Sequence, residues 1–443
     1  MRPKARCDRI PEWEKFFMKK IVSCVAALFT AFMLAFCACA DAVTDELVPV
    51  IRKGAMNYNE YIDITNIVSK YGWDKNKTVD MLTCAYLYMP ELFFANNQIF
   101  LYYVPGGSYT AKMTYTIPAS ELDAARKKLD TAAKAAVAGI TSDMPDVEKA
   151  LYVHDYLILN THYDTTYRGY DAYDCLVNHS AVCQGYSLAY KYILTEYLGI
   201  ECTVVYSKSQ NHAWNYVRLG EKWYHVDVTN DDALSIYKND SYDNHGFAMH
   251  ENFIMSDSLC RSASPLHSNW TVVGSYPAAN DTSYDNAFWR NVYSPVVTDG
   301  SLCYYAVKSD SAASDGTKYT NICSYDFKTG INKLLARVKA RWYARRSSSG
   351  GSDSDYGKAS YTRVWMSLAG GGRKLYFNTN KTVFSFDLDT KTVKKLYTLD
   401  REENQIFGLT YSDGCIRVAY RYDITYPEKY ITLRLRSAAQ TGI

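Results

Sequence analysis

Residues 176–189 read LVNHSAVCQGYSLA, and the interpretation of the whole chain starts from this stretch. At Cys183 a loop gives way to a helical pattern that continues to about Tyr197 and stops at Gly199. A cysteine at a helix N-terminus feels the positive end of the helix dipole, which favours the thiolate. Because the thiolate is the nucleophilic form, Cys183 is a candidate catalytic residue. The structural alternative is a cysteine that is simply buried.

Three strand patterns follow this helix and predict an antiparallel meander, which with the helix makes an α+β arrangement. The predicted strands cover 202–206, 212–219 and 223–228. Gly220-Glu221 joins the last two, and so short a connection brings His212 close to Asp227. Cysteine, histidine and aspartate in this order suit Cys–His acyl transfer. A satisfied histidine at a hairpin edge and an aspartate that caps a turn are the alternatives.

The surroundings of these residues resemble the three core motifs of bacterial transglutaminase-like proteins. The motifs are AVCQGYS at 181–187, NHAWNYV at 211–217 and KWYHVDVT at 222–229. Upstream, VHDYL at 153–157 and THYD at 161–164 match the lead-in helix, and NFIMSD at 252–257 matches the segment that often closes the domain. The resemblance covers roughly residues 145–270 and implies a papain-like α+β fold.

The resemblance implies that Cys183 is the nucleophile, that His212 is first a general base and then an acid, and that Asp227 orients His212. Family members act on amide bonds of glutamine side chains or peptides by crosslinking, deamidation or hydrolysis. The sequence departs from the family pattern at two places beside the site. His179-Ser180 stand where a glycine-containing turn is common, and Asn230 replaces a common tryptophan.

Four neighbouring residues are candidates for supporting roles. The backbone N–H of the cysteine is the natural oxyanion donor, and Gln184 is a candidate for a second donor or for supporting the loop. His225 shares a strand face with the aspartate, which favours a place in the core or behind the site. Trp214 and Trp223 are candidate walls of the cleft, with core packing as an equal alternative.

Residues 21–40 (IVSCVAALFTAFMLAFCACA) carry no charge, follow Lys19-Lys20 and resemble an export segment. We expect residues 1–40 to be a cleaved signal peptide, a lipoprotein signal using Cys37 or Cys39, or a retained anchor, with 1–17 as an upstream extension. Each alternative places the remainder outside the cytoplasm, secreted or attached to the membrane.

Charge and cysteine content exclude several classes of protein. The 49 basic and 47 acidic residues balance to +2, which gives no electrostatic footprint for nucleic acid. Residues 1–40 hold seven of the basic and three of the acidic residues, so the remainder carries 42 against 44. Twelve cysteines are too dilute for a disulfide scaffold. Without a Cys-x-x-Cys pair or metal-ligand histidine spacing, we predict no metal and no cofactor.

The rest of the chain divides into regions of different character. Residues 42–140 are predicted to form a small α/β region, with a strand over 111–117 and a helix that starts with a capping box at Ser120. Residues 141–275 are predicted to form the transglutaminase-like core. Residues 285–440 are β-rich, with recurring strands that start at glycine and one offset of 42 residues, which is typical of propeller blades. Three such units are fewer than propellers use, and a β-meander or sandwich is the alternative.

These observations predict an exported cysteine enzyme that acts on amide bonds, as a peptidase, an amidase or an acyl transferase. Its expected substrate is a protein or peptide, cell-wall peptide included. The alternative is a catalytically silent extracellular binding or adhesion protein that uses the fold as a scaffold, which 41 tyrosines also suit.

Overall fold

The computed structural model of the chain describes residues 43–232, 248–312, 318–339, 368–371, 373–379, 381–400, 405–421 and 429–435. The predicted export segment lies outside these residues. Within them, no helix has the length and apolar character needed to cross a bilayer. The chain divides into two compact units, the first of which runs to Met89 and includes Gln98–Thr114 and Val273–Ser275. The predicted three-domain division stays a prediction.

The first unit combines short helices with one three-stranded sheet. Its elements are α1 (Val48–Met56), β1 (Tyr61–Asp63), α2 (Thr65–Tyr71), α3 (Lys75–Tyr88), β2 (Phe100–Tyr103) and β3 (Tyr109–Lys112). Helix α2 ends at Gly72, whose φ of 62° is left-handed. Helix α3 begins where the Asp74 carboxylate accepts a hydrogen bond from Lys77 N at 2.7 Å. The strands pair antiparallel in the order β1-β3-β2. The prediction of a strand over 111–117 is therefore displaced, because the pairing residues are 109–112.

One face of this sheet exposes three aromatic rings, which we call the aromatic face: Tyr61, Phe100 and Tyr102. Both Tyr61 and Phe100 pair with Lys112, and Tyr102 lies two residues along β2, so all four side chains share one face. The rings are 56%, 51% and 51% exposed. Lys112 Nζ lies 5.6 Å from the Tyr61 ring centroid and 5.7 Å from that of Tyr102, within range for cation–π attraction.

The second unit begins with four α-helices and two short strands that pair in parallel. In order these are α4 (Leu122–Ala136), α5 (Asp146–Asn160), β4 (His162–Tyr163), α6 (Ala172–Leu176), β5 (Ser180–Ala181) and α7 (Cys183–Glu196). Helix α4 buries Leu122, Ala125, Leu129 and Ala133, a stripe at the helical period. The predicted cap at Ser120 is wrong, because a 3₁₀ turn precedes α4 and no side chain caps it.

The sheet beside α7 is an antiparallel meander, as the sequence predicted. Its strands are β6 (Cys202–Ser207), β7 (His212–Leu219), β8 (Lys222–Val226) and β9 (Thr271–Val272). Two helices, α8 (Val228–Asp231) and α9 (Asp257–Ala263), lie in the sequence between β8 and β9. The strand order is β8-β7-β6-β9, and α7 packs against β6 and β7. Asn215 Nδ2 in β7 donates to Ser187 O in α7 at 2.9 Å, which fixes the helix against the strand.

The C-terminal part of the second unit is β-rich. Its strands are β10 (Val297–Asp299), β11 (Leu302–Ala312), β12 (Lys318–Asp326), β13 (Ile331–Lys339), β14 (Leu368–Gly371), β15 (Lys374–Asn378), β16 (Thr382–Asp387), β17 (Val393–Thr398), β18 (Gln405–Ser412), β19 (Cys415–Arg421) and β20 (Lys429–Arg434). They form three sheets of consecutive antiparallel strands, β10–β13, β14–β17 and β18–β20. One apolar core joins the first two sheets, and includes Ile322 and Phe377. A second core, with Tyr376 and Ile416, joins the last two. A closed ring of such sheets is not shown.

Candidate active site

Cys183 is the first residue of α7 and is partly exposed. Val182 occupies the N-cap position in an extended conformation, and no side chain caps the helix. The turn in front of the helix is held from the side, because Val182 N donates to Gly169 O at 2.8 Å. A side chain on Gly185 would stand 3.1 Å from that same carbonyl oxygen, so glycine permits the loop and the helix to approach closely. These contacts fix Cys183 at an open helix N-terminus.

The hairpin of β7 and β8 brings His212 and Asp227 together. Leu219 pairs with Lys222 across the two-residue connection, as predicted. His212 starts β7, and Asp227 follows β8 as the N-cap of α8, accepting from Asn230 N at 3.0 Å. His212 Nε2 lies 2.7 Å from Asp227 Oδ2, and both side chains are buried. This contact leaves the Nδ1 side of His212 for Cys183.

The electrostatics of these three residues are coupled. Burial by itself would lower the pKa of His212, but the Asp227 carboxylate and the hydrogen bond with Cys183 outweigh burial and raise that pKa to about 10. Burial would raise the pKa of Asp227, but the charge and hydrogen bonds of His212 and His267 hold it well below its usual range. An imidazolium held by a carboxylate and facing a cysteine is the arrangement that stabilises a thiolate.

Two further residues contact the Asp227 carboxylate, and the sequence-based prediction assigned neither of them a role. His267 Nε2 lies 2.7 Å from Asp227 Oδ2, and Asn230 Nδ2 donates to the same oxygen at 2.7 Å. The sequence marked Asn230 only as a departure from the family pattern. An aspartate at an N-cap contacts the residue three positions on, so the spacing of Asn230 was an available signal. His267 lies 40 positions after Asp227, and no local pattern identifies it.

The four supporting candidates have defined partners. Gln184 Nε2 donates to Tyr170 O at 3.1 Å, which fits the loop-supporting alternative. His225 Nδ1 accepts from Trp214 Nε1 at 2.9 Å, and His225 Nε2 donates to Asp257 Oδ1 at 2.9 Å. Burial lowers the pKa of His225, and this pattern is that of a neutral ring. Trp214 and Trp223 are buried in one apolar core, which fits the core-packing alternative.

Trp214 nevertheless contacts the site from behind. Its ring centroid lies 5.7 Å from that of His212 and 4.9 Å from that of His267. Asp257, His225 and Trp214 are therefore linked by hydrogen bonds, and the Trp214 ring packs against both histidines that contact Asp227. These hydrogen bonds orient an aromatic surface on which the two imidazole rings rest.

A second buried polar cluster lies beyond α8. His154 Nδ1 lies 3.0 Å from Asp155 Oδ1, and His154 Nε2 lies 3.1 Å from Asp231 Oδ2 at the end of α8. His250 Nε2 lies 2.8 Å from Asp155 Oδ1. The sequence predicted no metal, yet His154, Asp155 and His250 have the spacing to hold one, as do His212, Asp227 and His267. In both groups these same atoms already form hydrogen bonds with one another.

Cys183 also stands apart from the other cysteines by its exposure. The eight cysteines among the described residues form no disulfide with one another, and only Cys183 and Cys415 of these are not buried. Burial raises the pKa of Cys175 and of Cys202 to about 12, which keeps those thiols protonated.

Comparison with known proteins identifies the domain that carries this site. The family description of the transglutaminase-like superfamily matches residues 132–228, whereas no curated protein matches the chain. The match includes Cys183, His212 and Asp227.

Three solved structures are similar to parts of the chain. One is a TGase, with 17% identity and a TM-score of 0.22 over 35% of this chain and 48% of its own. Another is PorZ, a surface component of the type-IX secretion system of Porphyromonas gingivalis, with 10% identity and a TM-score of 0.18 over 52% and 25%. The third is the arylamine N-acetyltransferase from Mycobacterium abscessus, with 11% identity and a TM-score of 0.21 over 63% and 88%. This chain thus spans about half the length of that TGase. On the family match, the resemblance drawn from the motifs is confirmed, and the chain contains a transglutaminase-like domain at residues 132–228.

Proposed function

We propose that this protein is an exported cysteine enzyme that cleaves or transfers amide-linked acyl groups through Cys183, His212 and Asp227. The observation that carries the proposal is the position of His212. It contacts Asp227 at 2.7 Å on one side and the thiol of a partly exposed cysteine on the other. The transglutaminase-like superfamily supports acyl transfer as the reaction type.

In the proposed first step the Cys183 thiolate attacks the carbonyl carbon of the amide, and the carbonyl oxygen becomes negatively charged. The backbone N–H of Cys183, at the uncapped start of α7, donates to that oxygen. His212 then gives its proton to the leaving amine as the carbon–nitrogen bond breaks, and a thioester remains on Cys183.

In the second step water or another amine attacks the thioester, and His212 accepts the proton of the attacking group. Cys183 leaves as a thiolate, and the resting state is restored. Water as the attacking group makes the protein a peptidase or amidase, and an amine makes it an acyl transferase. Asp227 holds the imidazolium in both steps, which is the role of the carboxylate in such triads.

A peptide or protein is the proposed substrate, cell-wall peptide included. Tyr163 pairs in register with Ala181, just before the nucleophile. Burial, and after it the neighbouring Cys183, raises the pKa of the Tyr163 phenol. Tyr167, on the following turn, is 62% exposed. Aromatic rings close to the nucleophile suit a peptide substrate, since they offer a large contact area at low entropic cost.

Export is part of the proposal because of the charge pattern of residues 19–40, two lysines followed by twenty uncharged residues. Cleavage, lipid attachment and retention as an anchor all place the catalytic unit outside the cytoplasm.

We further propose that the three C-terminal sheets are propeller-like blades. Their support is the consecutive strand order in each sheet and the apolar cores between neighbours. A crystal structure in which these sheets stack as a sandwich would contradict the blade interpretation.

Variants of two cysteines test the enzymatic proposal. Wild-type protein, Cys183→Ala and Cys415→Ala are treated with a thiol-directed electrophile and then with peptide and cell-wall libraries, with and without an amine donor. Cys415 is the matched control because it is the other partly exposed cysteine among the described residues. We expect wild type and Cys415→Ala to be labelled fast and to form product, and Cys183→Ala to do neither. Undiminished activity of Cys183→Ala would exclude the mechanism, and the product separates hydrolysis, deamidation and crosslinking.

The aromatic face favours a second function, which is ligand binding without turnover. Exposed apolar groups that cluster on one surface often mark interaction sites. This alternative expects a peptide or glycan ligand whose binding falls on Tyr61→Ala and Tyr102→Ala and is unchanged on Cys183→Ala. Binding that depends on Cys183, with product release, would favour the enzyme instead.

A further inference from the structure

His267 completes the set of hydrogen-bond donors that surrounds the Asp227 carboxylate. Asp227 Oδ2 accepts hydrogen bonds from three nitrogen atoms, each at 2.7 Å: His212 Nε2, His267 Nε2 and Asn230 Nδ2. Oδ1 receives Asn230 N at 3.0 Å. The two histidines therefore meet at one oxygen atom, and His267 is only 1% exposed.

The other ring nitrogen of His267 is anchored independently. Nδ1 lies 3.0 Å from the carbonyl oxygen of Cys260 in α9, and a carbonyl can only accept. Nδ1 is therefore a donor, and its contact fixes the plane of the ring. Nε2 faces Asp227 Oδ2 at 2.7 Å, with Asn230 Nδ2 at 3.3 Å, so donation to both acceptor oxygens requires a proton on each ring nitrogen. Trp214 packs against the same ring with centroids 4.9 Å apart. Position and orientation of Nε2 are thus determined by groups outside the triad.

A carboxylate that accepts from one histidine alone can rotate and offer either oxygen. Rotation would change both the direction of the bond to His212 and the tilt of its ring toward Cys183. His267 and Asn230 oppose this rotation because they hold Oδ2 from two further directions. Fixed partners of this kind are how enzymes keep a catalytic imidazole in a reactive geometry.

We propose that His267 is a positioning residue of the active site, which holds Asp227 Oδ2 and through it the orientation of His212 toward Cys183. This inference rests on the proposed function, since it concerns the same acyl-transfer site. It adds a fourth residue to the triad. The family description matches residues 132–228, and His267 lies outside this match.

Two conservative variants separate this role from a purely structural one. His267→Gln places an amide N–H2 near the position of Nε2 and can still donate to Asp227, but it loses the Cys260 contact. His267→Asn places its amide near the position of Nδ1 and keeps the Cys260 contact, but it cannot reach Asp227. His162→Gln is the control, since His162 is an exposed histidine in the same unit.

The assay follows hydrolysis of 4-nitrophenyl acetate and the rate of Cys183 alkylation by iodoacetamide, with thermal unfolding of each variant. We expect kcat of His267→Asn to fall on the order of 10- to 100-fold with little change in KM, because the imidazole is misplaced. His267→Gln should stay within about threefold of wild type, since its amide N–H still donates to Asp227 Oδ2 and holds the carboxylate in place. His162→Gln should match wild type.

Loss in His267→Gln with retention in His267→Asn would overturn the proposal, because the Cys260 contact would then be what matters. Equal loss in both variants, or no loss in either, would overturn it as well. If either variant fails to fold, His267→Ala with added imidazole replaces the pair. Recovery of kcat in imidazole supports the proposal, and no recovery overturns it. A failure of the proposed function differs from all these outcomes, since wild type itself would then be inactive.

Discussion

Glu148 offers a test of the electrostatics that does not involve the active site. Its side chain lies in α5 with 0% exposure, and neither carboxylate oxygen has a hydrogen-bond partner. Burial, followed by the charges of Asp143 and Asp326, raises the pKa of Glu148 to about 8. The side chain is therefore neutral in the folded protein at pH 7.

The expected size of the effect follows from the two states of this group. In the unfolded chain Glu148 titrates near its ordinary pKa of 4.5. As the pH rises, the unfolded state releases the proton first, so the folded state loses stability. The loss begins near pH 4.5 and is complete above about pH 8. Over the interval from 4.5 to about 8, at about 1.4 kcal/mol per pH unit, the total is on the order of 5 kcal/mol.

Urea unfolding followed by tryptophan fluorescence at pH 5, 6, 7 and 8 measures this loss. Glu148→Gln carries no proton to release, so its unfolding free energy should fall less with pH than that of wild type. Exposed Glu60 is the matched position, and Glu60→Gln should show the wild-type slope. Parallel slopes for wild type and Glu148→Gln would refute the reasoning, because the buried carboxyl would then titrate normally.

Three further predictions concern the proposed site. Asp227→Asn should lower kcat by about 10²- to 10⁴-fold in the ester assay, since the imidazole loses its orienting anion, and an unchanged rate would remove Asp227 from the mechanism. Because Asp227 and Cys183 raise the pKa of His212 to about 10, His212 keeps its proton below that pH. The pH profile of acylation should therefore fall only as the pH approaches 10, and a fall near 6.5 would contradict this pKa. Asn215→Ala removes the 2.9 Å bond to Ser187 O and should lower the unfolding free energy by about 1–3 kcal/mol in urea, whereas no change would show that bond to be dispensable.

Local sequence patterns predicted the parts of the site that depend on neighbours in the chain. Helix α7 starts at Cys183, and β7 and β8 meet through a two-residue connection, because helical periodicity and turn preferences act over a few residues. The displacement of β3 shows the limit of the same approach. The apolar residues of 111–117 resemble a strand, but Thr116 N donates to Phe94 O and so pairs outside that sheet.

The contacts that complete the site come from distant segments. His267 reaches Asp227 across 40 residues, and the Trp214 side chain reaches His225 on the adjacent strand rather than the cleft. A single sequence carries no signal for such contacts, since each depends on how α9 and the meander pack. Burial of Trp214 could be predicted from its type, but its hydrogen bond to His225 could not.

Because an apolar core lies between each pair of neighbouring C-terminal sheets, the stability of each sheet depends on the sheet next to it. Phe377 and Tyr376 are successive residues of β15 and belong to different cores, so the middle sheet is buried on both faces by its neighbours. Each sheet in such an array owes much of its folding free energy to the next one. Unfolding should therefore spread from an end sheet inward, and a truncation after β17 should weaken the whole array beyond the loss of one sheet.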